Sequence, residues 1–179
     1  GGYDIILSSY ALNEWLEGSD ENHRAELFST LGSLLKENGY LLLLEPAEGD
    51  VCRYLHGASA KAVMQNKRLY IQAPYFSGMA CPLWQNGSKY FSHEVRDCIP
   101  PTMVEQIKHP LNLEIREVKF GMSILSRSVP RPIDEKSGIF RIISPVRKRK
   151  GTISLWGIGP CGNEVQYEWQ RRDLSKDEQ

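Results

Sequence analysis

Two stretches decide how this chain is read: Tyr3–Trp15, YDIILSSYALNEW, and Asn38–Pro46, NGYLLLLEP. The first begins as a β-branched apolar run over Asp4–Ser8. It breaks into a polar turn at Ser9–Asn13 and predicts a short helix over Asn13–Leu16. The second is a continuous apolar run without alternation, the pattern of a strand covered on both faces in a parallel sheet. Between them, ENHRAELFSTLGSLLKENG places Ala25, Leu27, Phe28, Leu31, Leu34 and Leu35 on one helical face. ENG supplies the stop, with Gly39 just past the end. Strand, helix and strand within about forty residues make a βαβ unit and an α/β fold class.

The chain has 179 residues, 41% hydrophobic and 25% charged, enough for one core with a small appendage. A formal net charge of +0 means that attraction to nucleic acid or membrane must come from local clusters. YLLLLEP is too short to span a bilayer, and GGYDIIL lacks the basic head and cleavage site of a secretory signal. Cys52, Cys81, Cys98 and Cys161 form no C-x-x-C pair, so free thiols are expected rather than a zinc knuckle.

Beyond Pro46, a helix is predicted over Val51–Gln65 and a strand at RLYIQAPY. Residues 75–101 are rich in Gly, Pro, Cys, Trp and Tyr without a period, and read as an irregular insertion. TMVEQIKHP predicts a short helix stopped by Pro110. In LEIREVKFGMSILSRS the inward candidates are Leu113, Ile115, Val118, Phe120, Met122 and Ile124, with a register break near Glu117. That pattern suits a hairpin or a bulged antiparallel strand at a sheet edge. Residues 1–129 then form the α/β part and 130–138, PRPIDEKSG, a linker. Residues 139–172 form an antiparallel β appendage of three strands, IFRIIS, GTISLWGIG and EVQYEWQRR, and 173–179 a frayed tail.

Ligands of open parallel sheets bind outside the carboxyl ends of the strands. Ser8, Ser9, Tyr10, Asn13 and Glu14 stand at one such end, and Glu45 and Pro46 at its neighbour. Hydroxyls, an amide and an aromatic ring suit a small polar molecule, and equally serve to satisfy backbone groups at a strand-to-helix turn. The second constellation is Arg147, Lys148, Arg149 and Lys150, with Arg141 upstream and Lys136 in the linker. Consecutive cations suit phosphate, and cations also protect strand edges from aggregation. The run is expected on an exposed loop or strand end, alternate residues facing opposite ways. The third group is Tyr75, Phe76, Trp84, Tyr90, Phe91 and His93 near Cys81, which suits base stacking or loop packing. His23, His56, His93 and His109 have no ligand spacing, and without a G-x-S-x-G elbow hydrolytic catalysis finds no support.

YDIILSSYALNEW followed by LLKENGYLLLLEP is similar to the fourth and fifth strands of class I S-adenosylmethionine-dependent methyltransferases. APYFSGMACPL, KFGMSILSRS and RIISPVRKRKGTISL follow in order. Together they resemble the methyltransferase-like proteins of the mitochondrial small ribosomal subunit and their bacterial relatives. Lys119, Phe120, Arg141, Pro145, Lys148, Arg149, Lys150 and Gly151 stand at matching positions, and the resemblance runs from Tyr3 to about Gly162. It implies the C-terminal half of a Rossmann-like methyltransferase sheet. The family's Gly-rich cofactor loop precedes the strand matched by Tyr3–Ser9. The missing N-terminal half of the same domain is therefore an expected partner, and most S-adenosylmethionine contacts are expected upstream. Relatives bearing an iron–sulfur cluster present cysteines at four positions, which here hold Tyr75, Cys81, Lys89 and Ile158. One thiolate cannot hold a cluster, so none is expected.

The resemblance implies a methyltransferase-like protein acting on or assembling the small ribosomal subunit. Ribosomal RNA is the expected partner, without a membrane, in the cytoplasm if bacterial and the mitochondrion if eukaryotic. Ser9, Tyr10, Asn13, Glu14, Glu45 and Pro46 are the pocket candidates, and Arg141 and Arg147–Lys150 the RNA-binding ones. No residue is assigned as catalytic. The alternatives are a non-catalytic RNA-binding assembly factor keeping the fold, and a small-molecule methyltransferase whose basic run only protects an edge.

Overall fold

The computed structural model describes residues 1–85, 90–108, 110–111 and 115–174. Its first sheet grows from the two stretches read above. Strands β1 (Tyr3–Ser9) and β2 (Leu35–Pro46) pair in parallel, with Ile6 opposite Leu41 and Ser9 opposite Leu44. Helices α1 (Leu12–Trp15) and α2 (Glu21–Ser33) make the connection between them. Helix α3 (Gly49–Gln65) leads from β2 to β3 (Tyr70–Ala73). Strand β5 (Glu117–Ser126) runs antiparallel between β2 and β3, and β4 (Glu94–Asp97) takes the rest of β5's second edge. The order is β1-β2-β5-β3, a mixed sheet of an α/β fold in which β2 and β3, both opposed to β5, run the same way.

Helix α2 starts where Asp20, in extended conformation, accepts the His23 N–H on its carboxylate at 2.8 Å. It stops at Ser33, short of the predicted ENG stop, because Leu35–Asn38 already belong to β2. The Tyr3 N–H donates to the Leu34 carbonyl at 3.0 Å. Tyr3 lies opposite Leu35, and the register then jumps to place Ile5 opposite Tyr40. Gly39 sits in that irregularity, where a Cβ would lie 2.6 Å from the Tyr3 carbonyl oxygen. The glycine serves a close strand crossing, not a helix end.

Among the described residues, helices α2 and α3 cover one face of this sheet. Leu41, Leu43, Ile71 and Leu125 are buried there with Phe28, Leu55, Ala58 and Ala62. On the other face Leu42 and Leu44 are half-buried, while Ile5 and Leu7 are 64% and 60% exposed. The apolar run of β2 therefore does not correspond to two covered faces within the described residues.

Strand β5 corrects two expectations. It is an interior strand, flanked on both edges, rather than an edge strand. Its buried positions are Gly121, Ser123, Leu125 and Ser126, whereas Val118 is exposed and Phe120, Met122 and Ile124 are half-buried. The reason is the close approach of α3. A Cβ on Gly121 would lie 2.7 Å from the Cys52 Sγ. The Ser123 and Ser59 hydroxyls are hydrogen-bonded at 2.8 Å, and Ser59 donates onward to the Leu55 carbonyl. Small residues allow the contact, and apolar alternation points to their larger neighbours instead. Ile115 precedes the strand, and Leu113 lies outside the described residues.

Within residues 75–101, the described residues hold more regular structure than their composition indicates. They contain a single helical turn at Phe76–Gly78, α4 (Pro82–Gln85) and β4. Helix α5 (Thr102–Lys108) forms where predicted, and His109 lies outside the described residues.

The second sheet has four strands where three are predicted: β6 (Arg141–Ile142), β7 (Arg147–Arg149), β8 (Thr152–Ile158) and β9 (Glu164–Gln170). Strand β9 pairs along one edge of β8, and β6 and β7 share the other. The basic run is thus itself a strand. Arg171–Asp173 form one helical turn across the predicted boundary between appendage and tail, and residues 175–179 of the tail lie outside the described residues. No helix among the described residues is long and apolar enough to cross a membrane.

Because a side chain at position 121 must displace a buried thiol, Gly121→Ala is expected to destabilise the protein by about 1–3 kcal/mol in urea unfolding. Glycine-to-alanine at Gly159, where nothing lies within 4 Å of the added Cβ and the backbone is not left-handed, provides the unpacked comparison.

Candidate functional site

The carboxyl ends of β1 and β2 meet in a turn organised by one carboxylate. Glu45 is 2% exposed, and its two oxygens accept the N–H groups of Leu12 at 3.0 Å and Asn13 at 3.2 Å. It thereby satisfies the first amides of α1 from the neighbouring strand, a capping role usually filled by the residue preceding a helix. The Tyr10 N–H continues the parallel ladder to the Leu44 carbonyl at 2.8 Å, and its hydroxyl donates to the Lys119 carbonyl at 3.3 Å. Tyr10 has φ of 55°, a left-handed backbone that a bulky residue adopts only under constraint. Ser9, Tyr10 and Glu14 are exposed, and Pro46 is half-buried opposite Phe120. The Asn13 Oδ1 is buried without a hydrogen-bond partner among the described residues. The structure therefore brings all six predicted residues to one strand-end turn, with Glu45 supporting it from beneath.

A second constellation lies between the two sheets. Tyr75, Cys81, Leu83 and Ile158 form a buried cluster, with Met79, Trp84 and Ile143 packed against it. Beside it Glu94, 4% exposed, holds the Arg96 guanidinium at 2.6 Å and is also ion-paired with Arg141 of β6. The Arg141 guanidinium lies 5.4 Å from the centre of the Tyr75 ring. His56 of α3 is buried within hydrogen-bond distance of the Ser92 carbonyl, at 3.4 Å. Burial pushes the His56 imidazole down to about 4 and raises the Cys81 thiol and the Tyr75 phenol above their ordinary values. Burial likewise pushes the Cys52 thiol up to about 12, so neither buried cysteine is a ready nucleophile. Among the described residues no group of three His, Cys, Asp or Glu could hold a metal ion.

The basic run is the third. Arg147, Lys148 and Arg149 form β7 opposite Ser154, Ile153 and Thr152, and Lys150 and Gly151 turn the hairpin. Gly151 has φ of 85°, which a glycine adopts freely. All four cations are exposed, and none is ion-paired among the described residues. Arg141, grouped with them from sequence, stands apart, its side chain 19% exposed and committed to Glu94. Of the aromatic group in the insertion, Tyr75 packs inside and Trp84 donates to Glu21 at 3.2 Å. Phe91 lies tilted against His93 at 4.9 Å.

Glu94 and His56 carry no motif that sequence reading could catch. An acid in a four-residue strand and a histidine inside HGASA look like surface residues until the elements around them pack. Comparison with protein-family models finds no match, and comparison with curated proteins also finds none.

Removing the Glu94 charge leaves Arg141 unpaired between the sheets. Glu94→Gln is expected to cost about 3 kcal/mol and to speed proteolytic cleavage in residues 127–140, read by urea unfolding and limited digestion. His56 gives a pH dependence. Its folded value lies below its ordinary 6.5, so the folded state binds fewer protons than the unfolded one. Its contribution is present above 6.5 and is lost as pH falls toward about 4, on the order of 3 kcal/mol in all. Unfolding curves across that range should show this slope in the natural protein and lose it in His56→Gln.

Proposed function

We propose that this chain carries the C-terminal half of the sheet of a methyltransferase-like protein that acts on, or assembles, the small ribosomal subunit. S-adenosylmethionine is its donor and ribosomal RNA its partner. The observation that carries the reading is the meeting of Tyr75, Cys81 and Ile158 in one packed cluster. The resemblance alone aligns these positions, widely separated in the chain, with sites where cluster-bearing relatives present thiolates. A chance alignment gives no reason for them to touch. The fourth position, Lys89, lies outside the described residues. The strand order, with β5 reversed between parallel β2 and β3, supports the same reading of the sheet.

The residues at those positions do not fit an iron–sulfur cluster. Cys81 is one thiol with a raised pKa, and Tyr75 and Ile158 offer it no companion ligand. Cys161 is exposed, its thiol shifted upward by the neighbouring Glu135 carboxylate, and Cys98 lies beyond β4. The strand-end turn does fit the rim of a small-molecule pocket. Ser9, Tyr10 and Glu14 are open to a ligand, and Asn13 Oδ1 is an acceptor for a ligand N–H. When bound, the donor supplies a methyl group on a sulfonium. The part of this chain is to hold the reacting groups in line, since such transfer rests on position more than on a strong base.

A second reading, a non-catalytic RNA-binding assembly factor on the same fold, is favoured by the commitment of Glu45 to two backbone amides. That leaves no free buried acid at the turn. A small-molecule methyltransferase, the third possibility, would show no salt-dependent RNA binding.

Isothermal titration of the full-length protein with S-adenosylmethionine separates these. Micromolar binding, weakened about five- to tenfold by Asn13→Ala through loss of one hydrogen bond, is the expected result. No binding to a folded full-length protein would remove the enzymatic reading and leave the assembly factor.

A further inference from the structure

The second sheet presents an aromatic face that the sequence reading did not single out. Residues directly opposite in antiparallel strands share a face. Trp169 lies opposite Ile153, which lies opposite Lys148, and Tyr167 lies opposite Leu155. Ile153 and Leu155 are buried, whereas Tyr167 and Trp169 are partly exposed. Phe140 stacks on Tyr167 with centroids 4.0 Å apart and planes at 15°. Tyr167 and Trp169 lie 6.0 Å apart at 12°, and Phe140 lies 6.4 Å from Trp169, so the three rings form a triangular cluster in nearly parallel planes, with Phe140 over Tyr167 and Trp169 to the side. Gly157 makes room for it, because a Cβ there would lie 2.6 Å from Phe140 and 3.0 Å from Tyr167.

Charge is divided between the two faces of this sheet. Glu168 lies opposite Ser154 and Glu164 opposite Ile158, so both acids of β9 share the face of Arg147 and Arg149. The aromatic face carries Lys148 and neither of them. Parallel rings beside cations that form no ion pair among the described residues are what single-stranded nucleic acid requires, bases stacking on π faces while phosphates follow the charges. A double helix, with its bases already stacked, gains nothing from the rings.

We propose that Tyr167 and Trp169, with Lys148 on their face, form a stacking platform for unpaired bases of single-stranded RNA whose phosphates run along the outer edge of β7, unpaired among the described residues and bordered by Arg147 and Arg149 from the opposite face. This rests on reading the basic strand as RNA-binding, and adds that the RNA is single-stranded and held by its bases.

The test is fluorescence anisotropy of the full chain with a labelled twelve-nucleotide, A-rich RNA and with the same RNA annealed to its complement, at several salt concentrations. Trp169→Leu keeps apolar volume but removes the π face, and Trp169→Phe restores one. The leucine variant is expected to bind the single strand about tenfold more weakly with an unchanged salt slope and unchanged duplex binding. The phenylalanine variant should recover most of the loss. Arg147→Ala with Arg149→Ala should instead flatten the salt slope by about one unit. Circular dichroism confirms that each variant is folded. If Trp169→Leu binds as the natural chain does, or weakens single strand and duplex equally while the arginine variant still flattens the slope, stacking is wrong and the basic strand reading survives. If the natural chain binds neither RNA, both readings fall.

Discussion

The carboxylate of Glu94 is buried between the two sheets, and their relative placement depends on it. One oxygen holds Arg96 on its own strand and the other Arg141 on β6, so a single side chain ties the first sheet to the second. A buried carboxylate without partners would not remain ionised, and Arg141 without Glu94 would be a cation held against the Tyr75 ring with little water. Each charge therefore stabilises the burial of the other only in one relative position of the sheets. The apolar cluster of Tyr75, Cys81, Leu83 and Ile158 supplies cohesion there, but apolar contact alone tolerates sliding. Cohesion comes from the cluster and register from the ion pair.

Much of the first sheet was legible because its signals are local. The apolar runs of β1 and β2, the break at Ser9–Asn13 and the one-sided pattern of α2 each reside in a few consecutive residues. Illegible features were those decided by a partner element. The end of α2 depends on Leu35 finding Tyr3 across the sheet. The inward face of β5 depends on α3 approaching closely enough that only Gly121 and Ser123 fit beneath it. Periodicity ranks residues by hydrophobicity, and at a close helix-to-strand contact the buried residue is chosen by size instead. The same limitation hid β7, whose three cations look like a loop until β8 provides its pairing edge.

The candidate site divides along the same line. Position was readable: Ser9, Tyr10, Asn13, Glu14, Glu45 and Pro46 do gather at one pair of strand ends. Role was not, because Glu45 looks like a ligand group in sequence and becomes a helix cap once α1 turns its amides toward it. Arg141 shows the reverse case, a cation six residues from a basic run that belongs energetically to a different structure. The aromatic residues of the insertion drew attention by density, whereas Phe140 joins Tyr167 and Trp169, alternate residues of β9, only through β6–β8 and β8–β9 pairing.

Internal satisfaction then separates scaffold from surface. Glu45, Glu94 and His56 have their polar atoms engaged inside the molecule, and their loss would be felt first as instability. Asn13 Oδ1 lacks a partner, and Arg147–Lys150 form no ion pair among the described residues. Natural proteins leave few buried polar atoms unpaired, and clustered cations repel one another, so both features carry a cost that the fold does not recover by itself. A ligand N–H at the turn and a phosphate backbone along β7 are the two chemistries that would relieve them. Neither depends on the other, so the strand-end turn and the β-sheet surface can be lost or kept separately.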